Sequence, residues 1–241
     1  MTANMRAICA ELLTEGKAQE MAAQDRYESA DLVDAYWAIV DLTSSTAFRL
    51  ASGENKAFVR IAVYTSLFQM ICDEFADIKI IKGLGDGFLL RSQSFRSILQ
   101  LLALVDGVAQ YWDADVRNNP GYPSLSARAA ISHGPAFEEQ GDFYGAPIDR
   151  VARISGLKPV SGSCLAVVDE TVRRVNQDRI EAELPFLKFK KPFPLDPDLL
   201  KAGEQPVRVC EIQIDRLKFG DFDKFFVPIQ NWYAKRIEGR S

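Results

Sequence analysis

A glycine-rich segment, Lys82-Gly-Leu-Gly-Asp-Gly87, separates two short runs of β-prone residues. The runs are Lys79–Ile81 and Gly87–Leu90, and their composition predicts two strands that are joined by a tight turn. Glycine favours such a turn because it readily adopts backbone conformations that other residues avoid. The segment therefore predicts an antiparallel hairpin with Asp86 at its tip.

A second acidic residue, Asp41, ends the apolar run Ala35–Val40, whose aromatic and β-branched residues indicate a buried strand. Residues 43–46 are serine and threonine, and we expect them to cap a helix that begins near residue 44. Carboxylates at strand ends and hairpin tips are hard oxygen ligands that suit Mg²⁺ or Mn²⁺. Asp41 and Asp86 are thus candidate metal ligands, although each taken alone also fits a helix cap or a turn residue.

The remaining elements are predicted from hydrophobic periodicity and turn residues. Predicted helices cover residues 4–24, 56–75, 95–113 and 148–154, and a further helix begins near residue 170. Predicted strands cover 125–132, 135–138, 165–168 and 207–214. A turn is predicted over 141–147, and the proline-rich stretch 184–204 is expected to be irregular. Phe58 and Phe68 of the second helix are expected in the core.

Composition and charge argue against several classes of protein. The four cysteines are widely spaced and form no C-x-x-C pair, which argues against a disulfide framework and a zinc site and favours reduced core cysteines. A net charge of −4 provides no broad basic surface for a nucleic acid. Because no long apolar run is present, we expect no membrane segment and a cytoplasmic location.

The length of 241 residues fits one domain with short extensions. We place an N-terminal helical extension at residues 1–30 and the catalytic domain at 31–216. Residues 217–241 form a C-terminal extension that is rich in aromatic residues. The C-terminal extension is expected to pack on the body of the domain or on a second copy.

Three blocks of sequence resemble, in order and spacing, the motifs of class III adenylate and guanylate cyclases. They are Trp37–Thr46, then Lys82–Gly87, then Arg128–Gly134 followed by Gly141–Arg153. The resemblance runs from about Tyr36 to Ile214 and implies the fold of that family, an α/β, ferredoxin-like sandwich whose mostly antiparallel sheet is covered by helices. It also implies an enzyme that converts a nucleoside triphosphate into a 3′,5′-cyclic nucleotide and pyrophosphate.

The resemblance assigns a role to each matching residue. Metal ligands would be Asp41, Asp86 and the carbonyl of Leu42, which hold two Mn²⁺ or Mg²⁺ ions per site. Phosphate-binding residues would be Thr43, Ser44, Ser45, Thr46 and Arg128. Arg153 would stabilise charge on the transferred phosphoryl group, and Lys82 and Asp142 would read the nucleobase. The family also builds each site from both subunits of a head-to-tail homodimer, so the same is expected here.

The sequence departs from the family at the ribose. Asp149 stands where the family has an asparagine, and Ala146-Pro147 replaces the usual aspartate after the preceding glycine. An ionised carboxylate can accept a hydrogen bond from the ribose but cannot donate one. Asp149 is therefore a candidate catalytic residue with an altered role.

The base that the enzyme uses is left open by these residues. Lys82 and Asp142 match the adenylate-specific pair, yet a Lys donor and an Asp acceptor can also read cytosine. The altered Asp149 region and the lack of a recognisable regulatory domain resemble the stand-alone pyrimidine cyclases of Pycsar antiphage systems, which make cyclic UMP or cyclic CMP for a separate effector. We favour that reading over adenylate cyclase, and the rival from another class is an inactive nucleotide-binding or dimerisation module.

Overall fold

The computed structural model describes residues 10–21, 32–116, 124–157, 163–167, 171–172, 175–196 and 206–214. The strands within these ranges are β1 Val33–Leu42, β2 Ile78–Gly83, β3 Gly87–Ser92, β4 Ala127–Glu139, β5 Asp142–Tyr144, β6 Ser163–Val167, β7 Leu187–Phe189, β8 Phe193–Pro194 and β9 Arg208–Ile214. The helices are α1, described over residues 10–21, α2 Ser45–Ser52, α3 Glu54–Cys72, α4 Phe95–Val116, α5 Ala146–Ser155 and α6 Gln177–Glu183.

The described strands form one sheet in the order β2-β3-β1-β4-β6-β9-β7, with β5 paired to β4 and β8 paired to β9. Within the described ranges, β4 and β6 are the one parallel pair, and the other pairings are antiparallel. This arrangement confirms the predicted α/β fold with a mostly antiparallel sheet. The first block of the resemblance lies on β1, which is the central strand between β3 and β4.

Both faces of β1 are buried, which explains why its sequence is a continuous apolar run. Tyr36, Ala38, Val40 and Leu42 face the larger core cluster, which also contains residues of α3 and α4. Trp37 and its alternate neighbours face a smaller cluster that includes Val151 and Ile154 of α5. Full burial of one large apolar side chain contributes roughly 1.5–3 kcal/mol, so β1 anchors both helical layers.

Strand β4 corrects the prediction of two separate strands at 125–132 and 135–138. Residues 133 and 134 lie between the two predicted strands, but β4 continues through Gly134 and Pro135 because β1 pairs with them at Ala35 and Asp34. The Trp37 indole N–H also donates to the Gly134 carbonyl at 3.0 Å. Gly134 has φ of 149°, which a residue with a side chain rarely adopts.

The predicted turn over 141–147 contains a short strand instead. Gln140 and Gly141 have φ of 55° and 80°, and two positive φ values are typical of a tight hairpin turn. The chain then returns as β5, whose Tyr144 pairs with Phe137 of β4. Helix α5 begins at Ala146, two residues earlier than predicted.

Two local predictions at α2 and α3 are wrong. Ser44 precedes α2 in a left-handed conformation with φ of 58° and makes no side-chain capping bond. Phe58 is 72% exposed, whereas Phe68 is buried as expected. The buried face of α3 is instead formed by Ala57, Arg60, Tyr64, Phe68, Ile71 and Cys72. The expectation of burial thus fails at Phe58 and is confirmed at Phe68.

Two short strands near the end of the described chain were not predicted, because the stretch that contains them is rich in proline. Short strands β7 and β8 lie within the stretch that was expected to be irregular, and both pair with β9. The predicted helix from residue 170 begins on residues outside the described ranges, and α6 follows at Gln177. Cys72 and Cys210 are free and buried, as predicted for core cysteines.

The N-terminal extension is described as the helical residues 10–21, all of which are exposed. The predicted C-terminal extension, residues 217–241, lies outside the described ranges. A search of the described helices finds none that combines the length and the apolar character needed to cross a membrane.

Candidate active site

Asp41 lies near the end of β1, where the neighbouring strands place Gly87 on one side and Arg128 on the other. The β3 backbone approaches Asp41 so closely that a Cβ at Gly87 would lie 2.7 Å from the Val40 carbonyl oxygen and 3.2 Å from Asp41 Oδ1. Only glycine fits this position without movement of the strand. The hairpin glycine therefore sets how closely β3 approaches the Asp41 carboxylate.

Asp86 is held beside Asp41 by backbone hydrogen bonds of the hairpin. The Leu42 N–H donates to the Asp86 carbonyl at 3.1 Å, and the Leu84 N–H donates to the Gly87 carbonyl at 2.8 Å. Gly85 provides the positive φ of 82° that the turn requires. Two residues that are far apart in the sequence thus meet at one edge of the sheet.

The two carboxylates and Arg128 form a partly buried charged cluster. Burial raises the pKa of Asp41 above its ordinary value, the hydrogen bond from Arg128 lowers it, and the neighbouring Asp86 charge raises it again, with a net increase. Arg128 donates from Nη2 at 2.7 Å and from Nε at 3.1 Å to the same oxygen, Asp41 Oδ2. The guanidinium compensates part of the negative charge that the two carboxylates place together.

The segment between β1 and α2 is fixed by several hydrogen bonds. Thr43 donates from its N–H and from Oγ1 to the Ser126 carbonyl, each at 2.9 Å. Ser45 Oγ donates to the Leu42 carbonyl at 3.1 Å. The side chain of the N-cap residue Ser44 accepts no hydrogen bond from the first amides of α2. These amides are a suitable site for an anion.

These elements surround an open cleft with a volume of about 680 Å³. Its lining residues are Asp41, Leu42, Thr43, Ser44, Ser45, Thr46, Ala47, Leu50, Asp86 and Arg128. All of the residues that were predicted to bind metal and phosphate lie in this cleft. The cleft thus combines two carboxylates, a guanidinium that pairs with one of them, and the start of a helix, a set of groups that suits a metal-bound polyphosphate.

The donor set at the floor of the cleft fits Mg²⁺ or Mn²⁺. Asp41 and Asp86 place two hard carboxylate groups in repulsive proximity, a situation that a divalent cation would relieve, and the Leu42 carbonyl is adjacent. Within the described ranges, no cluster of three or more His, Cys, Asp or Glu side chains is present. A cation in the cleft would therefore take its remaining ligands from water or phosphate, as Mg²⁺ commonly does.

Lys82 and Asp142 form a second polar group outside the cleft. Lys82 Nζ contacts both oxygens of Asp142 at 2.7 Å, and Asp142 Oδ1 also accepts from the Phe143 N–H at 2.9 Å. The hydrogen bond from Lys82 is the main reason that the pKa of Asp142 is lowered. Strands β2 and β5 thus present a donor and an acceptor side by side.

Helix α5 carries the other two predicted residues. Arg153 Nη2 lies 3.9 Å from Asp149 Oδ2 on the preceding turn, and the Asp149 side chain is half exposed while that of Arg153 is 20% exposed. Among the described residues that line the cleft, none is Lys82, Asp142, Asp149 or Arg153. A single chain therefore brings the predicted metal and phosphate residues together and keeps the predicted base, ribose and transition-state residues apart from them.

Solved structures of nucleotide cyclases resemble this architecture. An adenylate/guanylate cyclase/hydrolase from Silicibacter pomeroyi aligns with a TM-score of 0.62 and 21% identity over 77% of this chain and 99% of that chain. The chain has the class III nucleotide cyclase fold. The guanylyl cyclase Cya2 aligns with a TM-score of 0.61 and 13% identity over 78% of this chain and 95% of its own. The adenylyl cyclase CyaB from P. aeruginosa aligns with a TM-score of 0.56 and 12% identity over 77% of this chain and 97% of its own.

The cyclase fold is recognised here through structure, since no family model matches the sequence and no curated protein matches it significantly. The fold confirms the family resemblance of the three sequence blocks at the level of architecture. The roles of the individual site residues remain predictions that their positions in the fold make testable.

One residue beside the cleft of this cyclase fold was missed by the sequence analysis. Arg60 of α3 is 4% exposed and donates to the Thr43 carbonyl at 2.7 Å. A signal was present, because Arg60 falls at helical spacing between Ala57 and Tyr64 on the face that is otherwise apolar. A lone arginine on a buried helical face indicates a specific partner.

Proposed function

We propose that this chain is a nucleotide cyclase that converts a nucleoside triphosphate into a 3′,5′-cyclic nucleotide and pyrophosphate. The observation that carries the proposal is the Asp41–Asp86 carboxylate pair, which lies beside the uncapped start of α2 in one cleft of a cyclase fold. A module that only binds nucleotide could keep this fold without keeping the carboxylate pair. The juxtaposed carboxylates, which cost stability without a cation, favour catalysis over a purely structural role.

The residues of the cleft divide the work of binding a triphosphate. The amides of residues 44–46 and the Arg128 guanidinium bind the β- and γ-phosphates, since both are positive hydrogen-bond donors. Thr43 lines the same cleft, but its N–H already donates to the Ser126 carbonyl. The Mn²⁺ or Mg²⁺ ions held by Asp41, Asp86 and the Leu42 carbonyl would neutralise phosphate charge and lower the pKa of the attacking hydroxyl. Arg128 reaches phosphate by leaving Asp41, with which it pairs at 2.7 Å.

The reaction is a direct displacement at the α-phosphorus. The ribose 3′-oxygen forms a bond to that phosphorus as the bond to the bridging oxygen of pyrophosphate breaks. The proton of the 3′-hydroxyl leaves with the products, and no covalent enzyme intermediate forms. Arg153 stabilises the charge that develops on the phosphoryl oxygens, a role that suits a fixed guanidinium.

A second copy of the chain completes the site. Lys82, Asp142, Asp149 and Arg153 are absent from the lining of their own chain's cleft, so we assign them to the cleft of the partner in a head-to-tail homodimer. Each dimer then carries two equivalent sites. Asp149, which is half exposed, accepts a hydrogen bond from the ribose in this arrangement.

The proposed substrate is UTP or CTP, with a role for the cyclic product in antiphage signalling through a separate effector. Lys82 and Asp142 offer one donor and one acceptor side by side, and adenine, cytosine and uracil each present an acceptor next to an N–H donor. Because Lys82 and Asp142 match the pair of the adenylate-specific members of the family, adenylate cyclase is the second candidate. The pyrimidine proposal rests on the altered Asp149 region, where an aspartate stands in place of the family's asparagine.

The test is to incubate the protein separately with ATP, GTP, CTP and UTP, in Mn²⁺ and in Mg²⁺, and to identify the products by mass spectrometry. Cyclic UMP or cyclic CMP supports the pyrimidine proposal, and cyclic AMP supports the adenylate alternative. Asp86→Asn should abolish the product, whereas the exposed carboxyl of Asp73 serves as a matched control, because Asp73→Asn should leave turnover unchanged.

An inactive module is distinguished by binding without turnover. Such a module would bind a nucleotide, or dimerise, and release no pyrophosphate with any of the four substrates. That result, obtained with a protein that binds nucleotide in the same buffer, would refute the proposed activity.

A further inference from the structure

Arg60 is a buried cation on a helix face that is otherwise apolar. It lies on α3 between Ala57 and Tyr64, and 4% of its surface is exposed. A cation is costly to bury unless hydrogen bonds or a counter-charge compensate for lost hydration. Two bonds to backbone carbonyls contribute this compensation.

The guanidinium bridges two segments of backbone that are distant in sequence. Nη2 donates to the Thr43 carbonyl at 2.7 Å, and Nε donates to the Ser124 carbonyl at 2.7 Å. The guanidinium carbon also lies 5.1 Å from the centre of the Phe48 ring of α2. The rigid, forked donors of arginine are well suited to fixing two acceptors at once.

Both segments lead directly into the cleft. Thr43 begins the segment that lines the cleft and leads into α2, and Ser124 lies four residues before Arg128. A second connection runs parallel to Arg60, because the Thr43 N–H and Oγ1 both donate to the Ser126 carbonyl. Arg60 does not line the cleft, so it acts on these groups through the backbone.

We propose that Arg60 is a positioning residue that sets the distance between the amides at the start of α2 and Arg128, and so defines the polyphosphate-binding half of the cleft. This inference rests on the proposed function for the identity of its ligand. Removing Arg60 frees the Thr43 carbonyl and lets the left-handed turn at Ser44 relax, which misaligns the amides.

The effect should appear in phosphate binding itself. Misplacement of a binding group by about 1 Å costs up to about 100-fold in an oriented site, and we expect Arg60→Met to weaken pyrophosphate binding about tenfold or more. Arg60→Lys keeps the charge but replaces the fork by one point donor, so we expect an intermediate loss. The KM for the triphosphate should rise more in Arg60→Met than in Arg60→Lys, because the polyphosphate-binding half of the cleft binds phosphate before and during the reaction.

The experiment is calorimetric titration of pyrophosphate into the wild type, Arg60→Met and Arg60→Lys at saturating Mn²⁺. Arg96→Met is the matched control, since Arg96 is half exposed on α4 and pairs with Glu183 away from the cleft. Melting temperatures are recorded for every variant. In Arg60→Ala, millimolar guanidinium ion should restore part of the pyrophosphate affinity, a rescue that a general loss of packing would not show.

The outcomes separate this inference from the proposed function. Weaker pyrophosphate binding in the Arg60 variants supports the inference even if the wild type forms no cyclic nucleotide. Wild-type affinity in Arg60→Met, or no pyrophosphate binding by the folded wild type, overturns it. If Arg60→Met does not fold, the folded Arg60→Lys variant is used instead, and wild-type pyrophosphate affinity in that variant overturns the inference.

Discussion

Substitution of Gly87 by alanine tests whether the hairpin sets the geometry of the carboxylate pair. A Cβ at this position would lie 2.7 Å from the Val40 carbonyl oxygen, whereas ordinary van der Waals contact begins at 3.4 Å. The obstacle is backbone, which cannot rotate aside as a side chain can. Strand β3 must therefore move away from β1 by about 0.7 Å at the register pair Gly87–Asp41, a distortion of the kind that overpacking causes.

The expected cost follows from that movement. Overpacking of a rigid site destabilises a protein by roughly 1–3 kcal/mol, and about 2 kcal/mol lowers the Tm of a chain of this size by about 4–8 °C. Mn²⁺ affinity should fall about tenfold, because the shift separates Asp86 from Asp41 and disturbs the hydrogen bond between Leu42 and Asp86. Urea unfolding measures the first effect, and electron paramagnetic resonance of free Mn²⁺ measures the second.

Gly83→Ala is the matched control within the same hairpin. Nothing lies within 4 Å of a Cβ built at Gly83, and its φ is not in the left-handed range. Its stability should stay within about 0.5 kcal/mol of the wild type. Equal free energies of unfolding for the two alanine variants would refute the reasoning, as would unchanged Mn²⁺ affinity in Gly87→Ala.

Three further outcomes test the other groups of the site. Asp41→Ala and Arg153→Ala should each be inactive. An equimolar mixture should recover about a quarter of wild-type activity, because about half of randomly formed dimers are heterodimers and each of these has one complete site out of two. No recovery would contradict a shared site. Asp149→Asn should change kcat more than KM if Asp149 orients the ribose, and unchanged kinetics would remove this residue from the site. Lys82→Met should raise the pKa of Asp142 towards its ordinary value of 3.8, because the main cause of its lowering is lost. The stabilisation from this pair is present above that ordinary value and disappears as the pH falls through the lowered pKa. A carboxyl ¹³C titration by NMR should therefore show Asp142 becoming protonated at a higher pH in Lys82→Met than in the wild type; an unmoved Asp142 pKa would contradict the pairing.

The parts of the fold that depend on local sequence could be predicted. The β1 run and the β2–β3 hairpin carry their own signals, since burial on both faces requires continuous apolar residues and the turn requires glycine at Gly85. The positions of Asp41 and Asp86 in one cleft follow from these two elements together with the family resemblance. The same holds for Arg128, which the register of β4 places opposite Asp41.

Features that depend on tertiary contacts could not be predicted. Gly134-Pro135 reads locally as a break, yet pairing with β1 carries β4 through it. The three-residue β5 is too short for a periodic signal and forms because β4 offers it an edge. The burial of Arg60 on α3 could not be predicted, because its acceptors are backbone carbonyls that only the folded chain brings near.

Within a single chain the cleft is separate from Lys82, Asp142, Asp149 and Arg153, and this separation affects how activity depends on the number of chains. In the proposed arrangement an isolated chain holds one half of each site, so at low abundance the output of product rises with the square of the number of chains in the cell. A modest change in expression then gives a larger change in signal, without a dedicated inhibitor. The activity per chain would rise with concentration until nearly all chains are paired.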